Sequence, residues 1–541
     1  MRLEKAAQAA SNALAVLWLG LFPLLGVLWM KQPFQIPLSY ANITRSKLEL
    51  AVLLTIISIP LAAFCAFVRR EQLKKIRLAK ALLIAFFVLV ALSARFGSYA
   101  AYRNEGGEAV VWVGAGRYEG LATQLCYFLI MICLSLCRPK TEWIAGAASV
   151  AVLVMTGVIA LQYGGCNPLG FFLEGLSVYT NYEFQGTLGN IDMISGYLSL
   201  TVPLLFGYSL FKNGKPAALF LTAAACGTMV MLLIHVQSGL MALIAGAALL
   251  AAAMLLNPKL RSRGMTVLAL LVLCFAVSRM VGLPWLDGAQ APWSVTTFWP
   301  NGALILSGNE KVVFPWNVTP TKLALLFAGA GMLFLARVLK KHPGKAVPLW
   351  AVLAAGCSVV ALGIAVVLFL NIPQSMEGIW ELHEILCGRA QDSFGSERYG
   401  IWRCTLQIAK DNLLIGTGPD TFLQAMRVYL ARNGISFRQS FDNPHNLFLA
   451  VLMQNGLPAL IYLLAGLAGT FIAGIRRKET APMAAGMVCY LVQGFFTFSM
   501  CIVTPMFWVL TGLTLSLSGC DNQNNGKKKS NKKAAAPFLS E

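Results

Sequence analysis

Ala13-Leu14-Ala15-Val16-Leu17-Trp18-Leu19-Gly20-Leu21-Phe22-Pro23-Leu24-Leu25-Gly26-Val27-Leu28-Trp29-Met30 contains no charged side chain. As a helix rising about 1.5 Å per residue, such a run nearly matches the ~30 Å hydrocarbon thickness of a bilayer. No small-residue cleavage site follows it, so it reads as an uncleaved first span rather than a signal peptide. The whole chain has the same character. Its 541 residues are 57% hydrophobic and only 12% charged, more apolar side chain than a globular core can bury. The expected fold class is therefore all-α: a polytopic integral membrane protein.

Working outward from this run, apolar stretches of spanning length begin near residues 13, 48, 81, 121, 143, 191, 216, 238, 265, 320, 347, 446, 481 and 502, which predicts about 14 transmembrane helices (12–14). Alternate connections between them are basic. They carry Arg69 and Arg70 with Lys74, Lys75 and Arg77; Arg138 and Lys140; Lys212 and Lys215; Lys259, Arg261 and Arg263; Lys340, Lys341 and Lys345; Arg476, Arg477 and Lys478; and finally the tail lysines 527–529. Lysine and arginine gather on the cytoplasmic side of threaded chains, so both termini are expected in the cytoplasm. The formal charge of +20 is then a topology signal and not the footprint of a nucleic acid. The thirteen cysteines show no CxxC spacing, and Cys126, Cys133 and Cys137 lie inside apolar runs. They read as packing residues, with no metal implied.

The other set of connections, 97–120, 164–190, 284–319 and 371–445, is longer and richer in aromatic residues, Gly, Asn and Pro, and is expected to face outward. Four regions follow. Residues 1–370 hold about eleven spans; 371–445 form an external loop subdomain with amphipathic helices; 446–519 hold about three more spans; 520–541 form a disordered basic tail. Within the subdomain, apolar residues at three- and four-residue steps predict a helix over Arg398–Lys410 and a second over Asp420–Asn433, stopped by Gly434. Cys166, Cys387 and Cys404 would face an oxidising compartment, where pairing is open to them.

Polar chemistry concentrates in one stretch of this chain, Ser396-Glu397-Arg398-Tyr399-Gly400-Ile401-Trp402 through Asp442-Asn443-Pro444-His445-Asn446. Arg398 shares a helical face with Ile401, Trp402 and Thr405, whereas Arg403 points about 140° away. The bland reading of such arginines is contact with lipid headgroups or pairing with Glu397 and Asp392. The bland reading of His445 is a first-turn residue behind an Asn443–Pro444 helix start. Its near-neutral pKa equally suits a general base. Gly186-Thr187-Leu188-Gly189-Asn190, taken alone, is a loop-to-helix cap.

Taken together, three segments are similar to the O-antigen ligase family of bacterial membrane glycosyltransferases. They are Gly186-Thr187-Leu188-Gly189-Asn190 with Ser195-Gly196-Tyr197; Arg398-x-x-x-Trp402 with Leu414-Ile415-Gly416-Thr417-Gly418; and Pro444-His445-Asn446-Leu447 with Gly456-Leu457. They cover roughly residues 185–460. The resemblance implies a multi-span helical glycosyltransferase in the bacterial inner membrane that works at its outer face. It implies a glycan donor on undecaprenyl diphosphate, an acceptor hydroxyl on a glycan, lipid or protein, and neither metal nor other cofactor. A diphosphate leaving group suits guanidinium forks, so Arg398 is the residue expected to hold it and His445 the one expected to activate the acceptor. Arg403, Arg432, Arg438, His235, Ser238, Asn190 and Asn446 are the further substrate-binding candidates.

The chain departs from the family at one point. Where members commonly carry a second arginine in a Ser-Arg-Gly stretch, this sequence reads His235-Val236-Gln237-Ser238-Gly239, with Ser238 in the arginine's place. His235 or an arginine from the long loop is expected to substitute. Two other functions fit the same composition: a polysaccharide polymerase of the same superfamily, and a flippase or transporter of lipid-linked sugars. A transporter usually places ionisable groups near mid-membrane, where this sequence has almost none.

Overall fold

The computed structural model of the protein describes residues 2–25, 40–70, 78–104, 106–163, 186–280, 318–370, 372–438 and 441–519. Cys166, the tail and the 284–317 part of the third outward connection lie outside these residues. The described chain is helical throughout, apart from an isolated antiparallel bridge between Arg103 and Ala109.

Each of the fourteen expected spans falls on a helix, but among the described residues eleven helices are long and apolar enough to cross a bilayer. The exceptions are Leu121–Ser135, Ala481–Gly494 and Thr504–Leu517, of 15, 14 and 14 residues. At about 1.5 Å per residue these fall short of a ~30 Å core. Their burial accounts for the shortfall: every residue from Thr504 to Ser516 is buried, so protein rather than lipid surrounds that helix and its length need not match the bilayer. Leu349–Phe369 is the opposite case, with no buried residue. Hydropathy alone does not separate an interior helix from a lipid-facing one.

The basic connections meet at one end of the bundle. Arg69 pairs with Glu4 at 2.7 Å, Gln8 donates to the Arg138 carbonyl at 2.8 Å, and Lys212 pairs with Glu142. Arg263 donates to the Leu210 carbonyl at 2.7 Å, Arg261 to the Lys345 carbonyl at 2.6 Å, and Tyr208 to the Glu479 carbonyl at 2.9 Å. Loops far apart in sequence thus close the same face, in the alternation the charges predicted.

At the opposite end the helices Glu377–Leu386, Arg398–Asp411 and Phe422–Asn433 form the long-loop subdomain. The second and third share a small core of Ile401, Cys404, Ile408, Phe422, Ala425 and Met426, closed by Met453. Gly434 ends the third helix in a left-handed conformation, as expected. Cys387 and Cys404 are free thiols.

Met453 belongs to Leu447–Ile475, which is two helices joined at Gly456, whose backbone (φ 83°, ψ 168°) is not helical. The Leu414–Gly418 stretch staples this break. Leu457 N donates to the Leu413 carbonyl at 2.7 Å, Thr417 N to the Met453 carbonyl at 3.0 Å and Gly418 N to the Gln454 carbonyl at 2.8 Å. Ser98 and Tyr99 donate in turn to Gly416 and Thr417, and Ser93 Oγ to the Gln454 carbonyl at 2.6 Å. The glycines of these two motifs are therefore structural. A Cβ on Gly456 would lie 2.5 Å from the Leu414 carbonyl oxygen, whereas one on Gly434 meets nothing within 4 Å. Gly456→Ala is expected to combine backbone strain with a steric clash, each costing about 1–3 kcal/mol, and Gly434→Ala only the strain. Thermal unfolding of the two variants in detergent checks this; equal losses would mean the staple is not tight.

Candidate active site

The turn Asp442–Asn446 is built around polar contacts. Asn443 Nδ2 donates to Asp442 Oδ1 at 2.7 Å, and Asn443 Oδ1 accepts from His445 N at 2.9 Å. The helix starts three residues later than an Asn443–Pro444 cap would put it: Asn446 is the N-cap, its Oδ1 accepting from Phe448 N and Leu449 N at 3.0 Å each. His445 is thus not a first-turn residue. It precedes the cap in a left-handed conformation, φ 48°, and its ring stands edge-on to Phe498 and Phe441 at centroid distances of 5.3 and 6.3 Å. Neither ring nitrogen makes a hydrogen bond to a described residue.

Helix Arg398–Asp411 is fastened to this turn by Trp402, whose Nε1 donates to the Pro444 carbonyl at 2.8 Å while its ring meets Phe495 edge-on. Arg398, one turn earlier on the same face, becomes an electrostatic neighbour of His445. Its guanidinium is half-buried, bonds to no described residue, and has Asp192, in the first turn of Ile191–Phe211, as its nearest balancing charge. Burial lowers its pKa and Asp192 partly restores it. Half-buried and unbonded, this cation has its donors available to an anion.

The second arginine of the site was not singled out in the sequence. Arg117 comes from the 97–120 connection. Its Nε and Nη2 form a fork on Asp442, the Nη2–Oδ1 bond being 2.8 Å, and its guanidinium lies 4.0 Å above the centroid of Phe498. Phe498 thus touches both Arg117 and His445. The only signal in the sequence was an Arg-Tyr-Glu triplet immediately before a span in an outward loop. Asp192 also had a signal, a carboxylate two residues past a helix cap in an apolar span.

These charges fix the protonation of His445. Burial, then Arg398 and Arg117, push its pKa down to about 4, against a smaller upward pull from Asp442. The imidazole is therefore neutral at pH 7 and suited to accept a proton. Burial works against the Asp442 carboxylate, but the Arg117 fork outweighs it and leaves that pKa below its ordinary value.

Beside Arg117 a cavity of about 90 Å³ descends between the helices, lined among others by Glu119, Asp420, Asn443, Asn455, Ser499 and Trp508. Since a water needs roughly 10–15 Å³, it holds a few waters but no oligosaccharide, and a donor glycan must lie outside it. Asp420 Oδ2 accepts from Ala115 N at 2.8 Å and Glu119 N at 3.2 Å, which shapes the loop carrying Arg117. Burial raises Asp420 to about 6 and Glu119 to about 8.

Among described residues, six other than glycine have positive φ: Tyr118, His235, Ser396, Glu397, Asp420 and His445. Five of them flank Arg117, Arg398 or His445 or carry the loop between them. Left-handed backbone costs about 1–2 kcal/mol per residue, and such strain gathers where surrounding structure holds a functional geometry.

The remaining candidates are elsewhere or otherwise engaged. Arg403 forks onto Asp392, its Nε–Oδ1 bond 3.0 Å, on the exposed side of its helix. Arg432 and Arg438 are exposed; Arg432 acts on Tyr99, and Arg438 N donates to Glu397 at 3.0 Å. Asn190 caps Ile191–Phe211 through Asp192 N at 2.7 Å, and Asn446 is a buried cap. His235 ends its helix beside Arg279, with burial and that arginine lowering its pKa. Ser238 is buried, and its Oγ has no hydrogen-bond partner among the described residues.

Residues 303–464 match the family model described as O-antigen ligase. The match ends within a few residues of the motif region read from the sequence. It begins well after that region does, so Gly186–Tyr197 and Arg117 lie outside it. No curated protein matches the chain.

Proposed function

From an apolar, multi-helical chain whose residues 303–464 match the O-antigen ligase family model, we propose a glycosyltransferase that moves a glycan from a polyprenyl-diphosphate carrier to an acceptor hydroxyl. One observation carries the reading: a half-buried arginine, Arg398, beside a histidine, His445, with neither the guanidinium nor the ring nitrogens bonded to any described residue. Arg398 holds the diphosphate. The acceptor oxygen attacks C1 of the donor sugar, and the bond from C1 to the phosphate oxygen breaks with its electron pair leaving on the diphosphate. The hydroxyl proton passes to His445 and from there to water. The step written this way calls for no metal.

The site lies at the end of the bundle opposite the basic connections, which the positive-inside rule assigns to the outer face of the inner membrane, with both termini in the cytoplasm. Residues 371–445 are its external subdomain. A polymerase of the same superfamily uses the same donor and differs only in taking a second lipid-linked glycan as acceptor.

The test is reconstitution of the full chain with a lipid-linked oligosaccharide in chelator. Release of polyprenyl diphosphate together with a glycosylated acceptor is the expected result. Intact donor appearing in the opposite leaflet without bond cleavage would instead make the protein a flippase.

A further inference from the structure

The Arg117–Asp442 pair has the form of a diphosphate contact with a carboxylate in the phosphate's place. A forked guanidinium binds either anion through the same two parallel bonds. Asp442 is only three residues before His445 and acts on it electrostatically, and Arg117 and His445 both pack against one ring, Phe498. Resting on the donor assignment above, we propose that the donor diphosphate displaces Asp442 from Arg117 and that Asp442 then turns to hydrogen-bond His445. Asp442 is thus the positioning residue of the base, and Arg117 the second diphosphate-binding arginine that the chain lacks at Ser238.

The groups facing His445 make this exchange productive. Without donor it sees two cations, Arg398 and Arg117, and a carboxylate whose charge is spent on Arg117, while Asp192 acts on both arginines. A ring in that setting is a weak base with no fixed orientation. With donor bound, both arginines face phosphate oxygens and Asp442 is released to accept one ring N–H. The opposite nitrogen is then the lone-pair side, turned to the acceptor hydroxyl, in the way an orienting carboxylate fixes an imidazole tautomer. Base strength arrives only when a leaving group is in place.

Two properties separate this exchange from a merely structural ion pair. Asp442 competes with the donor for Arg117, so Asp442→Asn is expected to bind farnesyl diphosphate about 3–10-fold more tightly than wild type while transferring glycan roughly 10²-fold more slowly. In Arg117→Gln, Asp442 has no guanidinium to hold it; ¹⁵N spectra of histidine-labelled protein in nanodiscs should then show one His445 nitrogen hydrogen-bonded without ligand, and farnesyl diphosphate should bind about 10-fold more weakly. In wild type the same His445 signal should appear only on adding farnesyl diphosphate. Unchanged or weaker binding by Asp442→Asn overturns the exchange, and so does a His445 signal in Arg117→Gln that matches ligand-free wild type. Failure of wild type to bind the diphosphate at all would be distinct, since it removes the donor assignment as well.

Discussion

His445→Asn is expected to lower turnover by roughly 10²–10⁴, the usual contribution of a general base, while donor affinity changes little. Asparagine keeps the size and hydrogen-bonding ability of the side chain but cannot take up a proton. The cost should not appear as misfolding, because the ring bonds to no described residue and the helix that follows is capped by Asn446 instead. Kinetics against pH give a second signature. A base must be neutral to act, so activity is present above its pKa and lost as pH falls through it. With His445 held at about 4 in the ligand-free protein, kcat/KM should be flat across neutral pH and decline only in acid. If the donor takes up the arginines and releases Asp442, the limb in kcat should lie at higher pH than the limb in kcat/KM. Near-normal turnover of His445→Asn would move the search for a base to Asp442 or His235.

Much of the fold was legible because membrane threading leaves two independent traces, apolar length and loop charge. All fourteen apolar runs are helices, and the basic connections do share one end. What sequence missed was which runs need to span. Thr504–Leu517 is as apolar as its neighbours but packed on protein along nearly its whole length, and burial is a tertiary property. The subdomain helices and the Gly434 stop were readable from period and composition. The helix start at Asn446 was not, since Asn443-Pro444 and Asn446 both offer cap chemistry, and Asn443 spends its oxygen on His445 N. In the site, His445 and Arg398 stood out because each is polar on an apolar background. Arg117 sits some 280 positions away in sequence from Arg398, and nothing local reveals that its loop folds back over Phe498.

Arg398 and Arg403 provide the sharpest mutational contrast, because they are five residues apart on one helix and make opposite predictions. Arg398→Lys keeps the charge but loses the fork, and should cost about 1–3 kcal/mol, the size of a charge-assisted hydrogen bond, or roughly tenfold to a hundredfold in kcat/KM. Part of that loss should appear as weaker donor binding. Arg398→Ala should cost more, since Asp192 is then left without its balancing cation beside a site that must accept an anion. Arg403→Ala removes an exposed pair with Asp392, worth about 0–1 kcal/mol at most, and should leave kcat/KM near wild type. The comparison is internal to one helix and one small core, so a shared folding defect would depress both variants together and show in thermal unfolding. Equal loss of donor binding in two stably folded variants would mean that the diphosphate lies across the exposed face of the helix, on the Asp392 side, and that His445 is not the residue that meets the acceptor.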